Sequence, residues 1–186
     1  MTQNAKGPLS GIVVVDLSRI LAGPYCTLLM AEMGARVIKV EPPKGGDDAR
    51  AYGTFINGKS TYFASVNRGK ESIALDLKSD ADRKIFEKLL EKADVVVENF
   101  RPGTMEKLGY GWETLHAKYP KLIYAAASGF GHSGPNSKDP AYDMVMQGTP
   151  AFETTSIQCA VVLALSTDSI SRSSLPWCFW RSALVL

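Results

Sequence analysis

Residues 11–17 read GIVVVDL. Four consecutive β-branched residues, Ile12 to Val15, favour an extended backbone. The run is continuous rather than alternating, which fits a strand buried on both faces, as in a parallel sheet. Working outward, residues 36–40 (RVIKV) and 94–97 (DVVV) repeat the pattern, and residues 122–127 (LIYAAA) form a further strand candidate. Residues 71–77 (ESIALDL) alternate and also suit a strand. Between these runs the chain predicts helices over residues 25–33, 80–92 and 112–119, the first of them preceded by Gly23 and Pro24. Ser79 is placed to cap the second with its hydroxyl, and Ile85, Phe86, Leu89 and Leu90 fall on one face of it. Strands alternating with helices predict an α/β fold, a parallel sheet with helices on both faces. Ligands of such sheets sit beyond the C-terminal strand ends. Residues 16–24, 41–48, 98–103 and 128–135 are therefore the loops in which to seek a site.

The chain has 186 residues, of which 45% are hydrophobic and 22% charged, enough for a packed core. A net charge of +2 argues for neither nucleic acid nor a membrane surface as partner. The start has no signal-peptide pattern, and no apolar run reaches the ~18 residues of a membrane span. Cys26, Cys159 and Cys178 form no CxxC pair, and with two histidines they make a poor metal set, so no metal is expected. A reducing, cytoplasmic setting is expected.

Composition changes near residue 150. All 16 glycines and all 13 lysines precede residue 151, and the last 36 residues hold four charged side chains and ten Ser or Thr. Residues 1–150 are read as one α/β unit. Residues 151–186 are read as an atypical tail that packs poorly, as truncation, alternative splicing or a shifted frame would produce.

Residues 129–134 (GFGHSG) match G-x-G-x-x-G after a strand, but Pro135 and Asn136 follow where a dinucleotide site needs a helix. A nicotinamide or flavin site and a plain glycine-rich loop both stand open, the loop being the simpler reading. Residues 19–24 (RILAGP) join a strand to a helix, where backbone N–H groups can meet an anion. Arg68 and Lys70 of NRGK, and Arg101 of NFRPG, are cations beside strand ends and candidates for phosphate. His116 and His132 have no nucleophile at a telling spacing and read as surface residues.

Taken in order, five stretches resemble the class III CoA-transferases, the CaiB/BaiF family that includes formyl-CoA transferase. They are LSGIVVVDLSRILAGPYCTLLMAEMGARVIKVEPPKGGDDAR, STYFASVNRGKESIALDLKSDADRK, ADVVVENFRPGTMEKLGYGWETL, LIYAAASGFGHSGP and AYDMVMQG. The resemblance covers residues 8–150 and implies the N-terminal portion of a longer, Rossmann-like α/β chain. It implies coenzyme A as a substrate and no tightly bound cofactor. Carried over by position, Leu21 and Ala22 meet CoA through the backbone. Leu75, Asp76, Leu77 and Lys78 flank the adenine. Asn99, Phe100 and Arg101 line the nucleotide and diphosphate region, Lys107 is a basic residue for phosphate, and Ala141 and Tyr142 lie near the pantetheine path.

The chemistry so implied moves CoA between an acyl-CoA thioester and a free carboxylic acid. An Asp carboxylate attacks the thioester to give a mixed anhydride, CoA thiolate attacks the enzyme carbonyl, and the incoming acid collects the CoA. The family's Asp opens a helix in a Gly-Asp segment. Residues 151–186 contain no glycine and one Asp, Asp168, which becomes the candidate nucleophile. Family members form interlocked homodimers, which a chain this short is not expected to close. Transfer by these 186 residues is therefore not expected. The alternatives are a non-catalytic fragment that binds CoA weakly or associates with a full-length homologue, and, outside the family, a dinucleotide-dependent oxidoreductase.

Overall fold

A computed structural model describes residues 7–141. Five parallel strands form the central sheet: β1 (Val13–Asp16), β2 (Arg36–Glu41), β5 (Glu71–Ala74), β6 (Val95–Glu98) and β7 (Ile123–Ala126), in the order β5-β2-β1-β6-β7. β1 pairs with β2 from Val13↔Arg36 and with β6 from Val14↔Val95. The helices are α1 (Ala22–Glu32), α2 (Thr61–Asn67), α3 (Asp80–Leu90), α4 (Thr104–Lys107) and α5 (Trp112–Lys118). A small hairpin, β3 (Phe55–Ile56) and β4 (Lys59–Ser60), stands apart from the sheet.

Both faces of the sheet are covered, as the continuous β-branched runs require. Val14, Val37, Val95 and Val97 pack with Met30 and Ala31 of α1 on one face. Val15, Val40, Val96 and Tyr124 pack with Phe86, Leu90, Met105 and Leu115 of α3, α4 and α5 on the other. The parallel α/β expectation therefore holds over the described residues. Among these, no helix is long and apolar enough to cross a membrane.

Several local expectations are corrected. α1 begins at Ala22 and takes in Gly23 and Pro24. Proline is tolerated there because the first turn of a helix has no intrahelical use for its N–H. Ser79 does precede α3, but its side chain makes no capping bond. Ile85 is 43% exposed while Phe86 is fully buried. α3 thus turns its 86/90 edge inward, and one residue, about 100° of helix, separates core from solvent. Asn57 and Gly58 both have positive φ, at 51° and 73°, and form the tight β3–β4 turn. The Asn-Gly pair announces that hairpin, although the strands are only two residues long. The compositional boundary at residue 150, the tail, Tyr142 and Asp168 lie outside the described residues.

Candidate functional site

Three central strands each end in a carboxylate: Asp16 on β1, Glu41 on β2 and Glu98 on β6. All three are buried, at 0%, 4% and 1% exposure. A buried carboxylate must be partnered, and the partners of these three shape the loops that follow. Asp16 accepts from the Ser18 N–H at 2.9 Å, from the Ser18 hydroxyl, from the Thr27 hydroxyl at 2.6 Å and from Lys70 Nζ at 3.0 Å. Glu41 accepts from both Arg50 Nε and Nη2, from Ser72 Oγ and from the Asp47 N–H. Glu98 accepts from the Phe100 N–H at 2.7 Å and the Tyr124 hydroxyl at 2.9 Å, with His132 Nε2 4.0 Å away.

These surroundings titrate the groups in opposite directions. Burial pushes the Glu98 carboxyl up, against the bonds from Phe100 and Tyr124. Burial would raise Glu41 too, but the Arg50, Ser72 and Asp47 donors outweigh it and hold the carboxyl at about 2 against an ordinary 4.5. A depressed folded pKa adds stability that is full above the unfolded value and lost as the pH falls through the folded one. Glu41 therefore contributes roughly 2–3 kcal/mol at neutral pH, lost between about pH 4.5 and pH 2. Thermal melts should show Glu41→Gln well below wild type at pH 7, with the gap closing on acidification. A gap unchanged down to pH 2.5 would refute this assignment.

The sheet order places a topological switch between β1 and β6, since the chain leaves β1 for β2 on one side and returns to β6 on the other. A cavity of about 480 Å³ opens there. It is lined by the β1–α1 loop (Arg19 to Ala22), the loop after β6 (Asn99 to Pro102), the loop after β7 (Ser128 to Phe130), Asp48, Tyr62 and residues 137 and 139–141. Its walls carry two guanidinium groups, Arg19 and Arg101, and two carboxylates, Asp48 and Asp139. Arg19 lies 4.0 Å from Asp48 and 5.2 Å over the Phe100 ring.

Asn99 holds the β1–α1 loop by accepting from the Arg19 N–H at 2.7 Å and donating to the Arg19 carbonyl at 2.8 Å. Leu21 is the N-cap of α1 and has no side chain with which to cap it. The first turn of α1 thus brings its positive end to the cavity wall. Gly23 makes the close approach feasible. A Cβ there would stand 2.3 Å from Ser18 Cβ. Gly129 does the same on the far wall, where a Cβ would meet Ala141 Cβ at 1.8 Å.

Of the residues singled out from sequence, Leu21, Ala22, Asn99, Phe100, Arg101 and Ala141 come together on this cavity. Leu75 to Lys78 follow β5 at the same sheet edge but do not line it. Leu75 is buried in the core, Leu77 packs against that core, and the Asp76 N–H bonds Asp82. Lys107 is exposed at the end of α4. Two phosphate candidates are corrected. Lys70 is consumed by Asp16, the Pro24 carbonyl and Asn67, and Arg68 pairs with Glu32. Arg19, Asp48, Ser128 and Phe130 also line the cavity, and all four lie in the loops marked by their place after strand ends. Tyr62, on α2, had no such signal. Residues 129–134 form a loop of bends, and no helix opens from it among the described residues.

Comparison with known proteins agrees with this geometry. The family model described as CoA-transferase family III matches residues 9–157, slightly past the change in composition. The chain is 52% identical over 142 residues to an acetyl-CoA:oxalate CoA-transferase of Acetobacter aceti, covering 76% of this chain and 36% of that protein. It is 45% identical to a succinate–glutarate CoA-transferase of Agrobacterium fabrum, covering 80% and 39%. Among solved structures, a CAIB/BAIF family protein from Brucella suis superposes with a TM-score of 0.73 at 43% identity, covering 77% and 39%. The chain thus spans well under half the length of these relatives. With the parallel sheet, the switch-point cavity and the family model all in accord, this chain belongs to CoA-transferase family III.

Proposed function

We propose that this chain supplies the CoA-binding part of an acyl-CoA:carboxylate CoA-transferase, taking the nucleotide end of CoA in the cavity between β1 and β6. The observation that carries the reading is the convergence there of the α1 N-terminus, Arg19 and Arg101 on a chain of this family. Peptide N–H groups and guanidinium groups suit a diphosphate, and the Phe100 and Tyr62 rings offer apolar surface to the adenosine. The acceptor class we assign is a short dicarboxylic acid, because the relatives' names pair CoA with oxalate, glutarate and mesaconate. A reducing, cytoplasmic setting, in keeping with the unpaired cysteine pattern, belongs to the same reading.

The catalytic carboxylate is a separate matter. Residues 151–186 offer no Gly-Asp pair, and Asp168 is the one Asp among them. We therefore assign CoA binding, rather than transfer, to a polypeptide of these 186 residues. Calorimetric titration with CoA tests the first half. Arg101 is exposed, so Arg101→Ala should weaken binding by about 1 kcal/mol, roughly fivefold. An unchanged titration removes Arg101 from the site. Incubation with acetyl-CoA and hydroxylamine tests the second half, and no protein hydroxamate is expected. A hydroxamate at Asp168 that disappears in Asp168→Asn would overturn the assignment and make Asp168 the nucleophile.

A further inference from the structure

We propose that Asp47 is a positioning residue for ligand binding, holding Ile20 in the left-handed backbone conformation that sets Leu21 and Ala22 on the cavity wall. The proposal rests on the CoA reading above and extends it to a residue that does not line the cavity.

Ile20 has φ of +67°. A β-branched side chain rarely accepts that region, so something must hold it there. Three neighbours grip this loop. Lys39 Nζ donates to the Ser18 carbonyl at 2.7 Å, Asn99 takes both backbone groups of Arg19, and Asp47 Oδ1 accepts from the Ile20 N–H at 3.0 Å. The grip on the strained residue itself is Asp47, 27 positions away in sequence. Asp47 is 1% exposed, and its other oxygen lies 2.9 Å from Lys39 Nζ, itself 1% exposed. Its N–H donates to Glu41 at 3.0 Å, which fixes the carboxylate from behind. Asp47 also caps the short 3-10 helix Asp48–Ala51 by accepting from the Ala49 N–H. Capping alone would not need an acceptor shared with Ile20, nor a buried lysine to orient it. Peptide donors favour an anion most when they are in place before it arrives, so a loop held in advance binds more tightly than one ordered by the ligand.

The test uses the full 186-residue chain and paired variants that strand no buried charge. Lys39→Met/Asp47→Asn removes the ion pair but keeps an oxygen for Ile20, while Lys39→Met/Asp47→Ala removes both. Calorimetry with CoA should give the alanine variant a Kd about tenfold higher than the asparagine variant. Amide exchange should show Ile20 unprotected in the alanine variant, with Val15 and Val96 still protected. Adding Ile20→Asn, a residue that enters the left-handed region readily, should recover most of the lost affinity. A 3-10 cap would not be repaired by that change. Equal affinities in the two variants, equal protection of Ile20, or no recovery with Ile20→Asn overturns the proposal. So does an alanine variant that fails to fold beside an asparagine variant that folds, since Asp47 would then be a cap and nothing more. A wild-type chain that takes up no CoA refutes the CoA reading instead, and the exchange at Ile20 still judges the hold on the loop.

Discussion

Lys70→Met is expected to destabilise the fold by about 3–5 kcal/mol, a large part of the ~5–15 kcal/mol that a domain of this kind has. Lys70 and Asp16 are 1% and 0% exposed and 3.0 Å apart. Methionine matches the lysine stem in bulk but leaves the buried Asp16 without its cation, with only the Ser18 and Thr27 donors around it. It also removes the 2.8 Å bonds to the Pro24 carbonyl, which Thr27 Oγ1 still reaches at 3.2 Å, and to Asn67 Oδ1, which is left without that donor. Burial holds the Lys70 pKa below its ordinary value, and the Asp16 carboxylate beside it offsets only part of that shift. Arg68→Ala, two residues earlier, is the control. Its ion pair with Glu32 joins side chains 63% and 43% exposed, and should be worth about 0–1 kcal/mol. Urea unfolding with a common m-value measures both. A Lys70→Met variant within about 1 kcal/mol of wild type would show that Asp16 does not need its partner.

Phe86→Ala carries the second large effect, a loss of about 3–5 kcal/mol. Phe86 is fully buried, meets Tyr110 edge-to-face at 4.9 Å, and packs among Leu90, Met105 and Leu115 beneath the sheet. Removing the ring leaves a cavity at the junction of α3, α4 and α5. Ile85→Ala, one position earlier, should cost less than about 1 kcal/mol, because a 43% exposed side chain loses little by truncation. The same urea titration separates them. Equal losses at the two positions would mean that α3 sits on the sheet at a different rotation.

These contrasts mark how far the sequence is legible. The strands could be found because burial on both faces demands uninterrupted β-branched runs, and GIVVVDL and DVVV have little else to be. The loops bearing the site could be found because ligands of parallel sheets gather at the C-terminal strand ends. Arg19, Asp48 and Ser128 lie inside those windows, while Tyr62 sits on a helix that no periodicity announces. Asn99 lies in one of those windows too, but its grip on Arg19 spans 80 residues and has no local signature.

By itself, then, the sequence determined the parallel α/β architecture, the strand ends and the family, because these depend on local periodicity and on the order of short motifs. The tertiary structure alone decided the fate of each charge. Arg68, Lys70 and Arg101 read alike along the chain, yet one makes a solvent pair, one is locked under Asp16 and one reaches the cavity. The reason is that the partner of a charge is set by strand order. Placing β5, β2, β1 and β6 side by side brings residues 16 and 70, 39 and 47, and 19 and 99 within bonding distance. No local pattern encodes separations of 54 or 80 residues.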